Sequence, residues 1–209
     1  MQQNEIIFKA VNVLSAGGVV MHPTETCYGL AVDVRNPQAL AKLYRLKGRD
    51  ESKPVSILVS DLEMAKKYGE FSEKALKLAK DYWPGPLTIL VTKIKFDESG
   101  FGLPESFNPG QKFVGIRCPD HKFSHELVKN FGFPITTTSA NLAGEPPLYE
   151  ADVSIFGELA SLIDLVVDAG KIPFNKPSTI VKVIGDEVEV IRQGELMVEQ
   201  GFPLRGKFL

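Results

Sequence analysis

Residues 17–33 read GGVVMHPTETCYGLAVD, two apolar runs separated by a short polar segment. Gly17–Met21 and Gly29–Asp33 are typical of consecutive buried strands. The link between them, PTETCYG, carries two threonine hydroxyls and a carboxylate where a plain connection would use the turn residues Gly, Asn or Asp. A rigid proline followed by hydroxyl groups at a strand end suits recognition of a small polar ligand. The alternative is a threonine-rich turn whose hydroxyls bond only their own backbone.

Helical and strand patterns alternate outward from this stretch to both ends of the chain. Asn36 followed by Pro37 predicts the start of a helix, because Asn is a good N-cap and Pro fits the first helical turn. Thr179–Ile184 and Glu187–Ile191, joined through Gly185-Asp186, predict a tight hairpin and exclude a purely parallel sheet. The predicted fold class is therefore α/β, with one domain over residues 1–209 on a mixed parallel/antiparallel sheet. Residues 203–209 are predicted to form a short C-terminal tail.

Composition limits the classes of function. The chain of 209 residues is 44% hydrophobic and 24% charged, which is ordinary for a soluble globular protein. Its formal net charge of -2 and pI near 6.0 give no overall basic field for nucleic acid, so phosphate binding requires a local group of cations. Cys27 and Cys118 lie far apart and predict free thiols in a reducing compartment. No signal peptide and no apolar run of about 20 residues is recognisable, so we expect a cytoplasmic location.

One such group of cations occurs in the segment KGRDESKP, residues 47–54. Lys47, Arg49 and Lys53 place three positive charges in seven residues, with a glycine that allows close approach of the backbone. Arg49 can bind a planar anion through two parallel hydrogen bonds, whereas the lysines act as point charges. The alternative is a solvated loop whose two acidic residues neutralise these cations.

Several strands in the second half end in hydroxyl, amide or guanidinium groups. Residues 135–141, ITTTSAN, read as a strand followed by Ser139 and Asn141, and strand ends are where α/β proteins bind ligands. Arg117 and Arg192 each close an apolar strand. A charge at the end of a buried strand needs a partner, and a bound anion is one candidate. Ser178 places a further hydroxyl at the start of a strand.

Common catalytic and nucleotide-binding signatures are absent from the sequence. There is no Gly-x-x-x-x-Gly-Lys-Ser/Thr loop and no Gly-x-Gly-x-x-Gly fingerprint. His121 and His125 have helical spacing but lack a third ligand, so the sequence does not favour a metal site. Cys27 does not lie in a nucleophile motif and is interpreted as a small apolar residue.

Seven segments occur in the order and spacing of the YrdC-like family, which contains the threonylcarbamoyl-AMP synthases. The resemblance extends from about Ile6 to Gly194, nearly the whole chain. The segments are PTETxYG (23–29), KxRxxxKP (47–54), WPGPLT (83–88), RCPDH (117–121), TSANxxGxP (138–146), PSTI (177–180) and IRxG (191–194).

This resemblance implies a twisted, concave α/β fold and an activity. The expected reaction makes threonylcarbamoyl-AMP and pyrophosphate from L-threonine, bicarbonate and ATP, with Mg²⁺ bound to ATP and no tightly bound cofactor. The expected use of the product is the threonylcarbamoyl modification of adenosine in tRNA. That use implies transfer of the product to the tRNA threonylcarbamoyl transferase machinery, weak contact with tRNA and no membrane.

The resemblance also implies roles for individual residues. Lys47 and Arg49 match the catalytic positions. The matched nucleotide-binding positions are Lys47, Arg49, Lys53, Ser139, Asn141 and Arg192, and the matched threonine-binding positions are Thr24, Arg117, Thr137 and Ser178. Two departures from the family are visible. Longer members carry an additional C-terminal domain, and many relatives have proline at the position of Gln193.

Two other functions are compatible with the sequence. One is an RNA-binding module of the same fold, although the acidic pI argues against a large phosphate footprint. The other is a paralogue that acts on another carbamoyl-type adenylate. Strongly salt-dependent RNA binding without ATP turnover would favour the first alternative.

Overall fold

A ten-stranded sheet organises the part of the chain that the computed structural model describes, residues 3–50, 52–98 and 100–197. The predicted tail, 203–209, lies outside these residues. The strands are β1 (Val20–His22), β2 (Gly29–Ala31), β3 (Ser56–Leu58), β4 (Gly69–Glu70), β5 (Leu87–Lys93), β6 (Phe113–Arg117), β7 (Ile135–Ser139), β8 (Leu165–Val166), β9 (Thr179–Ile184) and β10 (Glu187–Arg192). The helices are α1 (Gln3–Ser15), α2 (Pro37–Lys47), α3 (Leu62–Lys66), α4 (Glu73–Tyr82) and α5 (Lys122–Phe131), with a 3₁₀ segment at Val153–Leu162.

The sheet combines parallel and antiparallel strand pairs. Its order is β10-β9-β5-β6-β3-β7-β2-β1-β8, and β4 pairs with β5 outside this path. The pairs β1–β8, β3–β6 and β5–β9 are parallel, and the remaining pairs are antiparallel. The β9–β10 pair is the predicted hairpin, with Val183 opposite Val188. The α/β fold class on a mixed sheet is therefore confirmed.

Local sequence signals set both ends of α2. The Asn36 side chain accepts a hydrogen bond from the Ala39 amide (3.0 Å), and Pro37 occupies the first helical turn. Gly48 ends the helix in the left-handed conformation (φ 56°), which glycine adopts without steric cost. Because α2 ends there, the cationic segment that follows begins at a fixed place beside the sheet.

Helices cover both faces of the sheet. On one face α1 and α5 pack their apolar sides against Ala31, Leu58 and Ile135. On the other face α2, α4 and the 3₁₀ segment pack against the larger core, which includes Ile57 and Ile89. Side chains alternate between the two faces along each strand, so the strand register decides which residues face α1 and α5.

Two predictions from composition have a structural counterpart. Cys27 and Cys118 are free and buried, as expected for unpaired thiols. Within residues 3–50, 52–98 and 100–197, no helix combines the length and the apolar character needed to cross a membrane.

Candidate active site

A cavity of about 340 Å³ lies on the α1/α5 face of the sheet, within the size range of small-molecule sites. The β1–β2 loop, the segment after α2 and the ends of several strands meet around it. Eight of the ten predicted site residues line it, namely Thr24, Arg49, Arg117, Thr137, Ser139, Asn141, Ser178 and Arg192. Lys47 and Lys53 are not among the lining residues. The structure thus brings most of the predicted residues to one place, while their individual roles stay predictions.

Strand alternation explains why the cavity opens on this face. Leu58 and Ile135 pack under α1 and α5, and Ser56 and Thr137, two residues away on the same strands, line the cavity instead. Each strand therefore changes from an apolar to a hydroxyl side chain at the point where it leaves the cover of the helices. Gly115 packs against this lining, because a Cβ there would lie 2.4 Å from Ser56 Oγ.

The β1–β2 loop forms a closed hydrogen-bonded turn. The Thr24 hydroxyl donates to the Cys27 carbonyl (2.7 Å) and accepts from the backbone amides of Thr26 (3.1 Å) and Cys27 (3.2 Å). The Thr26 hydroxyl lies 3.0 Å from that of Thr24 and accepts from both Nη atoms of Arg117 at 3.3 Å. Hydroxyls of this loop thus bond their own backbone and also hold a cationic side chain in place.

Arg117 is the most buried arginine of the cavity, with 5% of its surface exposed. Its Nη2 lies 2.5 Å from Glu25 Oε1, and a buried charge is stabilised by such a partner. Burial raises the pKa of Glu25, but the Arg117 charge and hydrogen bond outweigh this effect and hold that pKa below its ordinary value. Glu25 therefore stays ionised and fixes one edge of the guanidinium group.

Lys47 lies behind the cavity wall rather than on its surface. Its Nζ donates to the carbonyls of Ser139 (2.5 Å) and Asn141 (3.1 Å) and to Asn141 Oδ1 (2.8 Å). An ammonium group has three protons, so these bonds use all of its donors. Burial, with the nearby Arg49 charge, lowers the pKa of Lys47 to about 8. Lys47 thus holds the turn that carries the Ser139 hydroxyl, which itself donates to Asn141 Oδ1 (2.7 Å).

Arg49 keeps hydrogen-bonding capacity for an anion. Its backbone amide donates to the Tyr44 carbonyl (3.0 Å), and its Nη2 donates to the Pro54 carbonyl (2.8 Å). Its Nε is buried and has no hydrogen-bond partner within the described ranges. Lys53, in the same segment, is exposed. Arg49 is therefore the cation of this segment that the structure brings to the cavity.

A β-bulge places Arg192 on the cavity face. Val190 lies opposite Val181, which is in the larger core, but the register then shifts and Arg192 lies opposite Ile180. Without the extra residue, Arg192 would lie on the same face as Val190. Ile180 and Arg192 both line the cavity, and Arg192 Nη2 donates to the Ser178 carbonyl (2.8 Å).

Some lining residues were not predicted as site residues. Thr88 lines the cavity, and its hydroxyl lies 2.9 Å from that of Ser178. Cys27 also lines the cavity, and burial raises the pKa of its thiol, which fits the apolar role expected of it. Glu145 is the single acidic lining residue within the described ranges. Strand alternation could have indicated Thr88, because Leu87 and Ile89 on either side are apolar.

The lining suits an anionic ligand. Arg49, Arg117 and Arg192 outnumber the single lining carboxylate, Glu145, and hydroxyls supply further hydrogen bonds. Across the part of the chain that the structure describes, no group of three or more His, Cys, Asp or Glu side chains could hold a metal ion. The arrangement can bind and orient phosphate or carboxylate groups and neutralise their charge.

Known proteins show similarity over most of this chain. Residues 12–194 match the model of the Sua5/YciO/YrdC family, described as "Telomere recombination". A Methanocaldococcus jannaschii protein is 35% identical over 184 residues, which are 88% of this chain and 83% of that protein. The threonylcarbamoyl-AMP synthase of Bacillus subtilis is 34% identical over 199 residues, covering 93% of this chain and 55% of the enzyme. The crystal structure of P. abyssi Sua5 complexed with L-threonine is 28% identical with a TM-score of 0.82, covering 94% of this chain and 56% of Sua5. The chain thus spans little more than half of the last two proteins.

Proposed function

The chain belongs to the Sua5/YciO/YrdC family, and on that premise we propose that it makes threonylcarbamoyl-AMP and pyrophosphate from L-threonine, bicarbonate and ATP. The observation that carries the proposal is the convergence of Arg49, Arg117 and Arg192 with several hydroxyls on one cavity. The similarity to P. abyssi Sua5, whose structure contains L-threonine, supports an amino-acid substrate.

The reaction needs charge neutralisation more than proton transfer. The threonine amine and bicarbonate form a carbamate and water, and a carbamate oxygen then attacks the α-phosphorus of ATP. The bond between the α-phosphorus and the oxygen that bridges it to the β-phosphate breaks, and pyrophosphate leaves with the electron pair. Because an anion attacks an anion, positioning the two substrates and neutralising their charge are the main tasks. Three arginines on one cavity can perform both.

The two arginine environments suggest a division of roles. Arg117 is buried, paired with Glu25 and bonded to Thr26, so it can hold a small carboxylate in one orientation. Arg49 and Arg192 are held through backbone carbonyls, of Pro54 and Ser178, and keep their charge available for phosphates. We propose that threonine binds beside Arg117 and the ATP phosphates beside Arg49 and Arg192.

Magnesium is proposed to enter with ATP. Its preferred ligands are carboxylates, waters and phosphate oxygens, whereas the cavity offers arginines, hydroxyls and the single carboxylate of Glu145. The lining thus fits the phosphates better than the cation. Mg²⁺ would neutralise part of the triphosphate charge, and the arginines would contact the remaining oxygens.

The product is proposed to pass to the tRNA threonylcarbamoyl transferase machinery in the cytoplasm. A net charge of -2 favours weak contact with tRNA rather than stable binding. We further propose that these residues belong to one domain that spans residues 1–209.

Pyrophosphate release tests the proposal directly. The protein should release pyrophosphate from ATP only when both threonine and bicarbonate are present, and mass analysis should show a threonylcarbamoyl-AMP product. Release that is independent of threonine, or a different nucleotide product, would refute the assignment and favour a paralogue with another substrate.

A further inference from the structure

Asn108 lies in the loop between β5 and β6, outside every segment that resembles the family. Only 3% of its surface is exposed, and among the described residues it is the one non-glycine residue with positive φ (48°). Its side chain forms two hydrogen bonds with the backbone of Val55, as a neighbouring strand would. Oδ1 accepts from the Val55 amide (3.0 Å), and Nδ2 donates to the Val55 carbonyl (2.8 Å). A left-handed backbone is tolerated by asparagine better than by most residues, so this conformation favours Asn here.

Asn108 is itself held in place by buried neighbouring residues. Lys93, also buried, donates from Nζ to the carbonyls of Phe107 (3.0 Å) and Asn108 (3.2 Å). Phe107 is fully buried in the larger core. The Tyr44 hydroxyl lies 3.3 Å from Asn108 Oδ1 and donates towards it. The amide therefore has one position, set by the core.

The bonds to Val55 lead directly to Arg49. Val55 follows Pro54, and the Pro54 carbonyl accepts the hydrogen bond from Arg49 Nη2 (2.8 Å). Pro54 and Val55 both line the cavity. A second tie joins the same loop to this segment, because Gln111 Nε2 donates to the Ser52 carbonyl (3.4 Å).

We propose that Asn108 is a positioning residue for Arg49. Its amide fixes Val55, and Val55 fixes the Pro54 carbonyl that orients the Arg49 guanidinium at the cavity. This inference rests on the proposed function, because that function identifies the anion bound by Arg49 as ATP. The hydrogen bonds of Asn108 do not depend on it. A role in folding alone would lower stability without a selective effect on ATP.

Two variants separate these roles. Asn108→Gly removes the amide and keeps the left-handed backbone available. Asn108→Asp keeps the shape and an acceptor but loses the donor to the Val55 carbonyl, and it replaces the glycine variant if that one does not fold. Asn36→Ala is the matched control, because Asn36 caps the far end of α2 with a comparable side-chain bond.

The measurements are ATP affinity in the presence of Mg²⁺, by calorimetry without threonine, and hydrogen exchange at the Val55 amide. Asn108→Gly should weaken ATP binding about tenfold, whereas Asn36→Ala should change it less than about twofold. In an Arg49→Ala background, Asn108→Gly should add less than about twofold, because contacts acting through one residue are not additive. The Val55 amide should exchange faster in Asn108→Gly, because this variant removes the side-chain oxygen that accepts its hydrogen bond.

Three results would overturn the proposal. They are unchanged ATP affinity in Asn108→Gly, the full tenfold loss repeated in the Arg49→Ala background, or unchanged exchange at the Val55 amide. If the unmodified protein does not bind ATP, the proposed function fails. The exchange measurement then still decides whether Asn108 holds the segment.

Discussion

Arg49→Ala tests the central electrostatic argument. Arg49 lines the cavity, its Nη2 donates to the Pro54 carbonyl, and its Nε has no hydrogen-bond partner in the described ranges. Substitution by alanine removes one positive charge and every donor that this side chain can offer a phosphate. The fold should lose little, since the side chain is only half-buried and makes one hydrogen bond to a loop carbonyl.

The expected magnitude follows from what the guanidinium can contribute. A hydrogen bond to a charged group is worth roughly 1.5–3 kcal/mol, and removing one electrostatic donor from an active site typically costs about 3 kcal/mol. At 1.36 kcal/mol per tenfold change in rate, this predicts a loss of roughly 100-fold in kcat/KM for ATP. The free energy of unfolding should change by less than about 1 kcal/mol.

The assay is pyrophosphate release at saturating threonine and bicarbonate with varied ATP. Arg45→Ala is the matched control, because Arg45 lies on the exposed surface in the last turn of α2 and does not line the cavity. It should stay within about twofold of the unmodified protein. A well-folded Arg49→Ala protein with normal kcat/KM, or an equal loss in Arg45→Ala, would refute the placement of the phosphates beside Arg49.

Three further outcomes are expected. Glu25→Gln should lower the free energy of unfolding by about 3 kcal/mol at pH 7. The pKa of Glu25 in the folded protein lies below its ordinary value of 4.5. The pairing with Arg117 therefore stabilises the fold fully above pH 4.5, and this stabilisation is lost as the pH falls through the lowered pKa. Urea titrations in which Glu25→Gln lowers the free energy of unfolding equally at pH 7 and pH 3 would contradict this prediction. Valine should be a far poorer substrate than threonine, by roughly 10⁴-fold, and serine only about 10- to 200-fold poorer, so similar rates with valine and threonine would argue against a site that bonds the hydroxyl. Gly194→Ala should lower the melting temperature strongly, since its Cβ would lie 2.0 Å from the Pro177 carbonyl oxygen, whereas Gly29→Ala, with its nearest contacts at 3.5 Å, should lower it less.

Local signals in the sequence predicted the elements of the fold well. Asn36 caps α2 through the side-chain bond expected of an N-cap. The β9–β10 hairpin and the strands around the PTET segment lie where the patterns placed them, within a few residues. The two-residue strand β4 was not predicted, because Gly69 and Glu70 carry no strand signal and are ordered by pairing with β5. The order of strands in the sheet also could not be derived, since it depends on contacts distant in sequence.

The sequence predicted which residues belong to the site but not how the strands orient their side chains towards it. Arg192 shows why, because a simple two-residue alternation would place it on the same face as Val190, which packs against the core. The bulge that reverses its direction has no marker in the sequence IRQG. Its position at a strand end and the resemblance to the family both indicated Arg192, whereas its placement on the cavity face required the strand register. Asn108 illustrates the converse, since no resemblance indicated it and only its bonds to Val55 connect it with the cavity.

Lys47 shows that a sequence motif does not separate ligand contact from support. Charge and spacing made Lys47 and Arg49 equivalent candidates for phosphate binding. In the structure all three Lys47 donors are used by Ser139 and Asn141, and Lys47 is 2% exposed. Removing a buried charge that satisfies three oxygens would leave those oxygens unpaired, which costs more than the loss of a surface contact. Lys47 and Arg49 would therefore both be needed for activity, but for different physical reasons, one to keep the wall of the cavity in place and the other to meet the anion.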